Sequence, residues 1–331
     1  MNDNKLIGVV SEQKHIQLHI DQFEAGQRFD SFLSLKYTQF SRTVWQNRIR
    51  NRKVLLNNEP ARSSRVLQVG DVVDFSFDLK AEPEVDRNIQ IIFEDEAFMV
   101  IEKPGDLPIH ASGSYRKNTL NQVLTDLFVS RKVQNFVCRP VHRLDRETSG
   151  LIIYAKSKHA ANELTNQFIS AQVNKQYQVA VFGEFNSFLN CEGYIGKSNS
   201  VIRRKQRYHE DTPVAGDFNC RTEFQPIKHA TINGRPISLL QVKLFTGRMH
   251  QIRATLNSIG YSVIGDRMYG PDETIYLRQL TDSETEADHQ LLLLPRTALH
   301  CTQLQLNHPI TKERLTFTSE LPEMIANLFP N

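Results

Sequence analysis

The chain is poor in cysteine and has no long hydrophobic run. Its four cysteines are widely spaced and form no Cys-x-x-Cys pair, which argues against a structural zinc site or a disulfide scaffold and fits a reducing compartment. No apolar segment approaches the roughly 20 residues that a membrane-spanning helix requires. The N-terminus lacks the charged-then-apolar pattern of a signal peptide. We therefore expect a cytoplasmic protein without a membrane role.

Motifs that bind nucleotide cofactors or metals are also missing. The sequence has no glycine-rich phosphate loop, no cluster of residues at metal-ligand spacing and no internal repeat. We therefore expect neither a metal nor a cofactor. The net charge is only +3, so the overall composition does not indicate a nucleic-acid partner, and the distribution of charge must be examined segment by segment.

The densest cluster of reactive side chains is the segment His142–Gly150, which has the sequence HRLDRETSG. An apolar run, Leu151–Ala155, follows at once and has the length of a buried strand. Asp145 therefore lies in a loop braced by a strand, and the positive charges of Arg143 and Arg146 favour its ionised form. Such a carboxylate can serve as a nucleophile or a base, although a solvated turn with a surface Asp–Arg pair would give the same local pattern.

The whole segment resembles the catalytic motif of the RluA-type pseudouridine synthases, which isomerise uridine within RNA. The resemblance implies that Asp145 is the catalytic residue and that Arg143 takes the position vacated by the flipped base. It also implies that His142, Arg146 and Thr148 help to bind substrate. Protein kinases also have a His-Arg-Asp loop, but they need a glycine-rich loop and an Asp-Phe-Gly motif, and the chain has neither.

A second part of the resemblance is Lys175-Gln176-Tyr177, at the start of an alternating run that continues to Val181. In isolation, Tyr177 on a strand face is more typical of a sheet aromatic than of a catalytic group. In the family, however, the tyrosine of Lys-x-Tyr lies against the target base. The resemblance therefore implies that Tyr177 belongs to the catalytic set, stacks on the uracil and can assist proton transfer at carbon five, and that Lys175 binds substrate.

A third segment, Gly247–Arg253, resembles the family's Gly-Arg-Thr-His-Gln-Ile-Arg motif, with methionine in place of the threonine. The last arginine of that motif pairs with the catalytic aspartate. The resemblance therefore implies that Arg253 is a catalytic residue that keeps Asp145 charged. It also implies that Arg248 and His250 bind substrate.

The residues after this motif predict a helix. Ile252, Leu256 and Ile259 recur at the spacing of one helical face, which is expected to meet the core, and Gly260 is a suitable residue to end the helix. Arg253 lies on a different face from this stripe. It is therefore available to pair with a carboxylate from elsewhere in the chain.

Positive charge is concentrated between residues 41 and 65. This segment contains Arg42, Arg48, Arg50, Arg52, Lys53, Arg62 and Arg65, against Glu59 alone. A solvated helix face usually mixes charges of both signs, so the pattern favours contact with phosphates. Together with the flanking strand and helix patterns, the segment resembles the RNA-binding domain named after ribosomal small-subunit protein four. We predict that Arg42, Arg48, Arg50, Arg52 and Lys53 contact RNA.

The pattern of segments predicts two domains. We predict the small RNA-binding domain at residues 15–80, a linker at 81–88, where the sequence is acidic and contains proline, and the pseudouridine synthase domain at 89–331. Within the second domain, a compact basic run is either a solvated loop or, as we favour for an RNA enzyme, a second phosphate-gripping edge. Its residues are Arg203, Arg204, Lys205 and Arg207. The acidic stretch 272–288 is expected to be a surface insertion without chemistry.

The fold class implied by the resemblance is α+β. We expect a mixed, largely antiparallel central sheet with flanking helices, preceded by a small α/β RNA-binding domain. The implied function is isomerisation of specific uridines to pseudouridine by a monomeric enzyme. Large-subunit ribosomal RNA is favoured over tRNA as the substrate, because family members with the extra domain typically act on it. The sequence does not decide whether Asp145 attacks the sugar or abstracts a ribose proton.

Two other functions agree with parts of the sequence. A non-catalytic RNA-binding protein or assembly factor would use the same basic domain, but it would require a damaged active site, and Asp145, Tyr177 and Arg253 are all present. A carboxylate-based glycosidase usually needs two opposed carboxylates, and the sequence offers one convincing candidate. The number of motifs in the right order favours the pseudouridine synthase.

Overall fold

The computed structural model describes residues 12–37, 40–79, 82–133 and 136–330. The chain divides into two compact units: Met1–Glu84 with Ala111–Lys117, and Val85–His110 with Asn118–Asn331. The division falls inside the segment predicted to be a linker, although residues 80 and 81, where that prediction changes from domain to linker, lie outside the described residues.

The loop Ala111–Lys117 was predicted to belong to the second domain but groups with the first unit. Its partner there is Glu82, whose carboxylate accepts hydrogen bonds from Arg116 Nε at 3.0 Å and from the Lys117 backbone N–H at 2.8 Å. Sequence position alone did not reveal these contacts, because Glu82 and the loop are separated by a hairpin.

The first unit is a three-stranded antiparallel sheet with two helices, in the strand order β1–β3–β2. Its elements are β1 (Glu12–His19), α1 (Phe29–Lys36), α2 (Arg42–Arg50), β2 (Val54–Leu56) and β3 (Val72–Leu79). Ser41 caps α2, because its side-chain oxygen accepts from the Val44 backbone N–H at 3.4 Å. Trp45 and Phe75 are buried and meet edge to face, with ring centroids 5.3 Å apart, at the centre of this core.

The second unit is built on one large sheet. Its elements are β4 (Gln90–Glu94), β5 (Phe98–Lys103), α3 (Leu120–Ser130), β6 (Arg139–Pro140), β7 (Ser149–Ala155), α4 (Lys158–Ile169), β8 (Asn174–Phe182), β9 (Leu189–Lys197), β10 (Gln206–His209), β11 (Phe218–Ile232), β12 (Arg235–Leu244), α5 (Gln251–Ser258), α6 (Thr274–Leu280), α7 (Glu286–Leu292), β13 (Leu299–Asn307), β14 (Arg314–Thr318) and α8 (Glu323–Ala326). The strand order is β10–β9–β11–β12–β8–β13–β7–β5–β4, with β14 beside β13 and β6 beside β7. Strands β13 and β7 run parallel and the other described pairs are antiparallel. This confirms the predicted mixed, largely antiparallel sheet with flanking helices.

The contact between β7 and β13 positions the predicted catalytic loop. Strand β7 is buried along its whole length, and Gly150 near its start has φ +107°. A β-carbon there would lie 2.3 Å from the Cys301 carbonyl oxygen, so this close pairing requires glycine. Cys301 also pairs with Tyr177 on β8. The loop that precedes β7 and the Lys-x-Tyr strand are therefore brought to the same part of the sheet.

The acidic stretch 272–288 is folded, which corrects the expectation of a weakly patterned insertion. It forms α6 and the start of α7, where Thr285 and Asp288 make a capping box. Arg278 bonds to Asp272 at 3.1 Å and to Asp288 at 2.6 Å, so the charges of these two aspartates are neutralised within the stretch. Among the described residues, no helix has both the length and the apolar character needed to cross a membrane.

Candidate active site

A cleft of about 570 Å³ lies in the second unit. Its walls come from the loop before β7, the C-terminal end of α4, β8, the segment between β12 and α5, and α5 itself. The predicted site residues that line it are His142, Arg143, Asp145, Thr148, Lys175, Tyr177, Arg248, His250 and Arg253. Three motifs that are far apart in sequence therefore meet at one place.

Asp145 and Arg253 pair in this cleft. Arg253 Nη1 donates to Asp145 Oδ2 at 2.9 Å. The two parallel bonds of the guanidinium go elsewhere, to the fully buried Asp266, from Nε at 2.5 Å and from Nη2 at 2.9 Å. One arginine, with five N–H groups, thus makes a single hydrogen bond to Asp145 and a bidentate pair of hydrogen bonds to Asp266.

The environment keeps Asp145 ionised. Burial alone would raise the pKa of Asp145, but the charge of Arg253 and its hydrogen bond outweigh that effect, so the pKa lies below its ordinary value. Arg143 adds a smaller contribution in the same direction. The carboxylate is therefore available in its charged form inside a largely desolvated site.

Arg146 does not take part in this pairing, contrary to the expectation that it would flank and stabilise Asp145. Its guanidinium bonds to Asp106 at 2.9 Å and to Glu147 at 2.7 Å, and it does not line the cleft. Neighbours in sequence point in different directions along an extended loop, which local spacing could not resolve. In this structure Arg146 therefore supports the loop through its ion pairs, and its predicted contact with substrate stays a prediction.

Tyr177 is buried at the floor of the cleft, beside Asp145. Burial raises the pKa of its phenol well above the ordinary value, helped by the neighbouring Cys301 and Asp145. The phenol therefore stays protonated at neutral pH. A neutral ring suits stacking and hydrogen bonding better than proton abstraction.

The other motif residues of the Asp145 loop have structural contacts. His142 accepts the Ile153 backbone N–H at 3.0 Å and stacks on Phe168 at 4.6 Å, and burial lowers its pKa to about 3. Thr148 donates its backbone N–H to the Asp145 carbonyl at 3.2 Å, closing the turn. His142 is therefore a neutral wall of the cleft that ties the loop to β7.

Arg143 and Lys175 present cations to the cleft. Arg143 is exposed, and its guanidinium has no hydrogen bond or ion pair within the described part of the chain. Lys175 is buried, with its ammonium 5.9 Å from the Phe168 ring centroid, and burial lowers its pKa. Both suit contact with an anionic or carbonyl-bearing substrate.

Helix α5 is buried nearly all round, from Gln251 to Leu256, so the face that carries Arg253 is buried as well as the predicted core stripe. Arg253 pairs with carboxylates from elsewhere in the chain, as its separate face predicted. The burial of Arg253 is balanced by its two carboxylate partners. The predicted end of the helix is confirmed: Gly260 has φ +92° and the Tyr261 N–H bonds back to the Leu256 carbonyl at 2.8 Å.

Two buried residues were not assigned roles from sequence. Lys103 donates its ammonium to the carbonyls of Pro104, Leu107 and Arg146 at 2.8, 3.0 and 2.9 Å, and burial lowers its pKa to about 7. It ties the loop after β5 to the Asp145 loop. The second such residue is Asp266, in the turn Gly265–Gly270. A carboxylate in a turn bounded by two glycines was the one feature of the sequence that could have pointed to it.

The predicted RNA-contacting cations of the first unit divide into two groups. Arg42 bonds to the buried Asp30 at 3.1 Å, and Arg48 donates to the Ser76 carbonyl at 2.7 Å, so both also serve the fold. The other three cations, Arg50, Arg52 and Lys53, are exposed, and Arg42 is exposed as well. Charge counting in sequence could not separate these groups, because Asp30 lies outside the basic segment.

The second basic run is also divided. Arg203 and Arg204 are exposed, whereas Lys205 pairs with Glu273 at 2.6 Å and Arg207 is half-buried. Glu273 comes from the acidic stretch that was expected to be a surface insertion without chemistry. Lys205 is therefore already paired within the protein, and its predicted contact with RNA stays a prediction.

Comparison with known proteins shows which family has a sequence like that of this cleft. A family model described as RNA pseudouridylate synthase matches residues 97–258, which include Asp145, Tyr177 and Arg253. A protein of Chlorobaculum parvum named as an uncharacterized RNA pseudouridine synthase is 32% identical, over 92% of this chain and 94% of its own. The chain belongs to the RNA pseudouridine synthase family. It is an RluA-type enzyme that isomerises uridine to pseudouridine in RNA.

Further relatives extend the likeness over nearly the whole length. The ribosomal large subunit pseudouridine synthase D of Zymomonas mobilis is 30% identical, over 95% of this chain and 96% of its own. The solved structure of human RNA pseudouridylate synthase domain containing 1 superimposes with a TM-score of 0.58 at 24% identity, over 76% of this chain and 92% of that one. The pseudouridine synthase is thus similar in fold to that human domain.

Proposed function

We propose that this pseudouridine synthase modifies large-subunit ribosomal RNA, with Asp145 as its catalytic carboxylate. Proteins named ribosomal large subunit pseudouridine synthase D, from Zymomonas mobilis and Pseudomonas aeruginosa, are each 30% identical over 95% and 90% of this chain. The yeast mitochondrial tRNA pseudouridine(32) synthase is 32% identical, but the match covers 74% of this chain and 50% of that protein. The more complete matches favour the ribosomal substrate.

The observation that carries the catalytic assignment is the Asp145–Arg253 pair beside Tyr177 in the cleft. The target nucleotide leaves its stack and enters the cleft, and Arg143 at the mouth takes the vacated position. Asp145 acts at the ribose while the bond to the ring nitrogen breaks. The ring turns, carbon five bonds to the sugar and releases its proton, and the ring nitrogen takes up a proton, so the reaction is redox-neutral.

The neighbouring side chains have distinct roles in this proposal. Arg253 keeps Asp145 charged after the RNA excludes water, when ion pairing is stronger than in bulk solvent. Tyr177 stacks on the uracil as a neutral phenol, so it assists the proton transfer at carbon five by hydrogen bonding and not as the base that takes the proton. Lys175, Arg248 and His250 bind the nucleotide, together with His142 and Thr148 from the loop.

A glycosidase is not supported by the geometry. Its mechanism would need a second carboxylate across the cleft from Asp145. The carboxylate that approaches this site is Asp266, which is fully buried and takes hydrogen bonds from Arg253 and from the backbone N–H groups of Met268 and Tyr269. It is therefore unavailable to activate a water molecule.

We further propose that the first unit binds RNA through Arg50, Arg52 and Lys53, with Arg42 and Arg48 supporting that surface. On the same basis we propose a cytoplasmic enzyme, because a ribosomal RNA substrate is reached where ribosomes are assembled.

The test combines an RNA map with one variant. Pseudouridines are mapped in total RNA from cells with the enzyme, without it, and with Asp145→Asn in its place. Asn keeps the size of the side chain and removes its charge, so RNA binding should persist while the enzyme-dependent ribosomal sites disappear. Sites that map only to tRNA would overturn the substrate, and sites restored by Asp145→Asn would overturn the catalytic role.

A further inference from the structure

The turn Gly265–Gly270 lies directly behind the cleft. None of its residues is among those that line the cleft, yet two of its side chains, Asp266 and Tyr269, are fully buried. Both contact residues that do line the cleft, Arg253 and His250. A buried polar side chain needs partners, and here the partners are the groups that face the substrate.

Asp266 fixes the plane of the Arg253 guanidinium. Its Oδ1 accepts the backbone N–H groups of Met268 at 3.0 Å and Tyr269 at 2.9 Å, so the turn itself orients the carboxylate. The carboxylate then holds Nε and Nη2 of Arg253. A guanidinium is planar and rigid. Once two of its nitrogens are fixed, Nη1 can point in one direction, and that direction is towards Asp145.

Tyr269 fixes the tautomer of His250. The Tyr269 oxygen accepts the Gln206 backbone N–H at 2.8 Å and lies 3.0 Å from His250 Nδ1. Its own proton needs an acceptor in this buried place, and Nδ1 is the acceptor within reach. His250 therefore carries its proton on Nε2. Burial lowers the pKa of His250, so the ring stays neutral, and within the described residues Nε2 has no hydrogen-bond partner.

We propose that Asp266 and Tyr269 are positioning residues for the isomerisation, Asp266 acting through Arg253 and Tyr269 through His250. Asp266 aims one N–H of Arg253 at Asp145, and Tyr269 aims the Nε2–H of His250 into the cleft as a donor to the bound nucleotide. The Arg253 guanidinium also lies 4.9 Å from the Tyr269 ring centroid. This contact links the Asp266–Arg253 pair to the Tyr269–His250 pair. The inference rests on the proposed roles of Asp145 and Arg253.

The first experiment measures single-turnover rates at saturating RNA. Asp266→Asn keeps the size of the side chain but turns one oxygen into a donor that faces Arg253. We expect a loss of about 100-fold, because a displacement of about 1 Å in an active site has that effect. Tyr269→Phe removes one hydrogen bond and should lose about tenfold. RNA affinity should stay within about twofold of wild type for both.

A double-mutant cycle separates positioning from a general structural role. In an Arg253→Lys background the route from Asp266 to Asp145 is already interrupted, so adding Asp266→Asn should cost little more than about twofold. Tyr269→Phe in a His250→Gln background should behave in the same way. If, in both cycles, the rate loss of the double variant equals the product of the losses of the two single variants, the proposal is overturned.

Arg267→Gln is the matched control in the same turn. Arg267 bonds to Glu284 at 2.5 Å and to the Pro295 carbonyl at 2.6 Å, away from Arg253 and His250. It should lower the melting temperature while leaving the saturated rate within about twofold of wild type. A rate loss equal to that of Asp266→Asn would mean that the turn is only a scaffold, which would overturn the proposal.

Failure of this inference can be told apart from failure of the proposed function. If Asp145→Asn or Arg253→Met keeps the wild-type rate, the active-site assignment itself is wrong. If those two variants lose activity while Asp266→Asn and Tyr269→Phe keep it, only the positioning roles are wrong.

Discussion

Replacing Arg253 with Met tests the electrostatic core of the site. Met has a similar volume and no charge, so it leaves Asp145 and Asp266 buried without their common cation. Removing one partner of a buried ion pair costs about 3–5 kcal/mol. A domain of this size loses roughly 2–4 °C of melting temperature per kcal/mol, so we expect a fall of about 10 °C at neutral pH.

The pH dependence of this loss has a definite sign. In the wild type the pKa of Asp145 lies below its ordinary value, so its pairing stabilises the fold at neutral pH and that contribution is lost as the pH falls through the lowered pKa. In Arg253→Met, burial without a cation should raise the pKa of Asp145. The penalty should then be largest at neutral pH and shrink on acidification. The two melting temperatures should therefore converge as the pH falls.

The rate of the same variant reports on catalysis. Loss of one preorganised electrostatic partner costs about 10²–10³-fold in rate, and the acidic limb of the single-turnover pH–rate profile should move to higher pH with the pKa of Asp145. Arg253→Lys keeps the charge but cannot serve both carboxylates with a planar fork, so its rate should lie between those of the wild type and Arg253→Met. A wild-type rate and an unmoved acidic limb in Arg253→Met would refute the pairing.

Two predictions concern RNA affinity. Replacing Arg50, Arg52 and Lys53 together with Gln should weaken RNA binding and leave the saturated rate unchanged. The slope of log affinity against log salt concentration should become shallower by up to about 0.7–0.9 for each phosphate that is no longer neutralised. An unaltered salt slope would show that this surface is merely solvated. Arg204→Gln should reduce the salt slope more than Lys205→Gln, because the Lys205 ammonium is already paired with Glu273; equal slopes in filter-binding titrations would contradict this.

The sequence was sufficient for features that depend on neighbours in the chain. The N-cap of α2 at Ser41 and the end of α5 at Gly260 follow from local backbone chemistry, and the structure has both. The central sheet followed from the resemblance. The three motifs that carry Asp145, Tyr177 and Arg253 all line the cleft, as the resemblance implied. A resemblance over several segments in order carries information about tertiary structure, which hydrophobic periodicity does not.

Partner choice among charged groups was the part that sequence could not supply. The resemblance implied that Asp145 pairs with Arg253, but nothing in the sequence indicated that Arg253 also bonds to Asp266. Nor did it indicate that Arg146 bonds to Asp106. The same limit explains the acidic stretch, where Glu284 bonds to Arg267 and Glu273 to Lys205. The stretch looked like an acidic insertion from its own composition. The cations that pair with these two glutamates lie outside it, so its sequence alone did not reveal them.

We predict that Gly150 is required for the packing of β7 against β13 and not for contact with a substrate. Its positive φ costs a residue with a side chain about 1–3 kcal/mol, and an added β-carbon would lie 2.3 Å from the oxygen and 2.6 Å from the nitrogen of Cys301. These are backbone atoms of β13 and cannot rotate away. Gly150→Ala should therefore separate β7 from β13 and displace both the Asp145 loop and Tyr177, which pairs with Cys301 from the other side.

Gly216 provides the matched control for this effect. It has φ +98° and nothing lies within 4 Å of its β-carbon position, so Gly216→Ala carries the backbone strain without the collision. We expect Gly216→Ala to cost about 1–2 kcal/mol and Gly150→Ala at least about 2 kcal/mol more, because overpacking adds to the strain. Urea unfolding measures the difference, and the single-turnover rate should fall only in Gly150→Ala. Equal destabilisation by the two variants would mean that the close approach of β7 to β13 does not hold the catalytic loop in place.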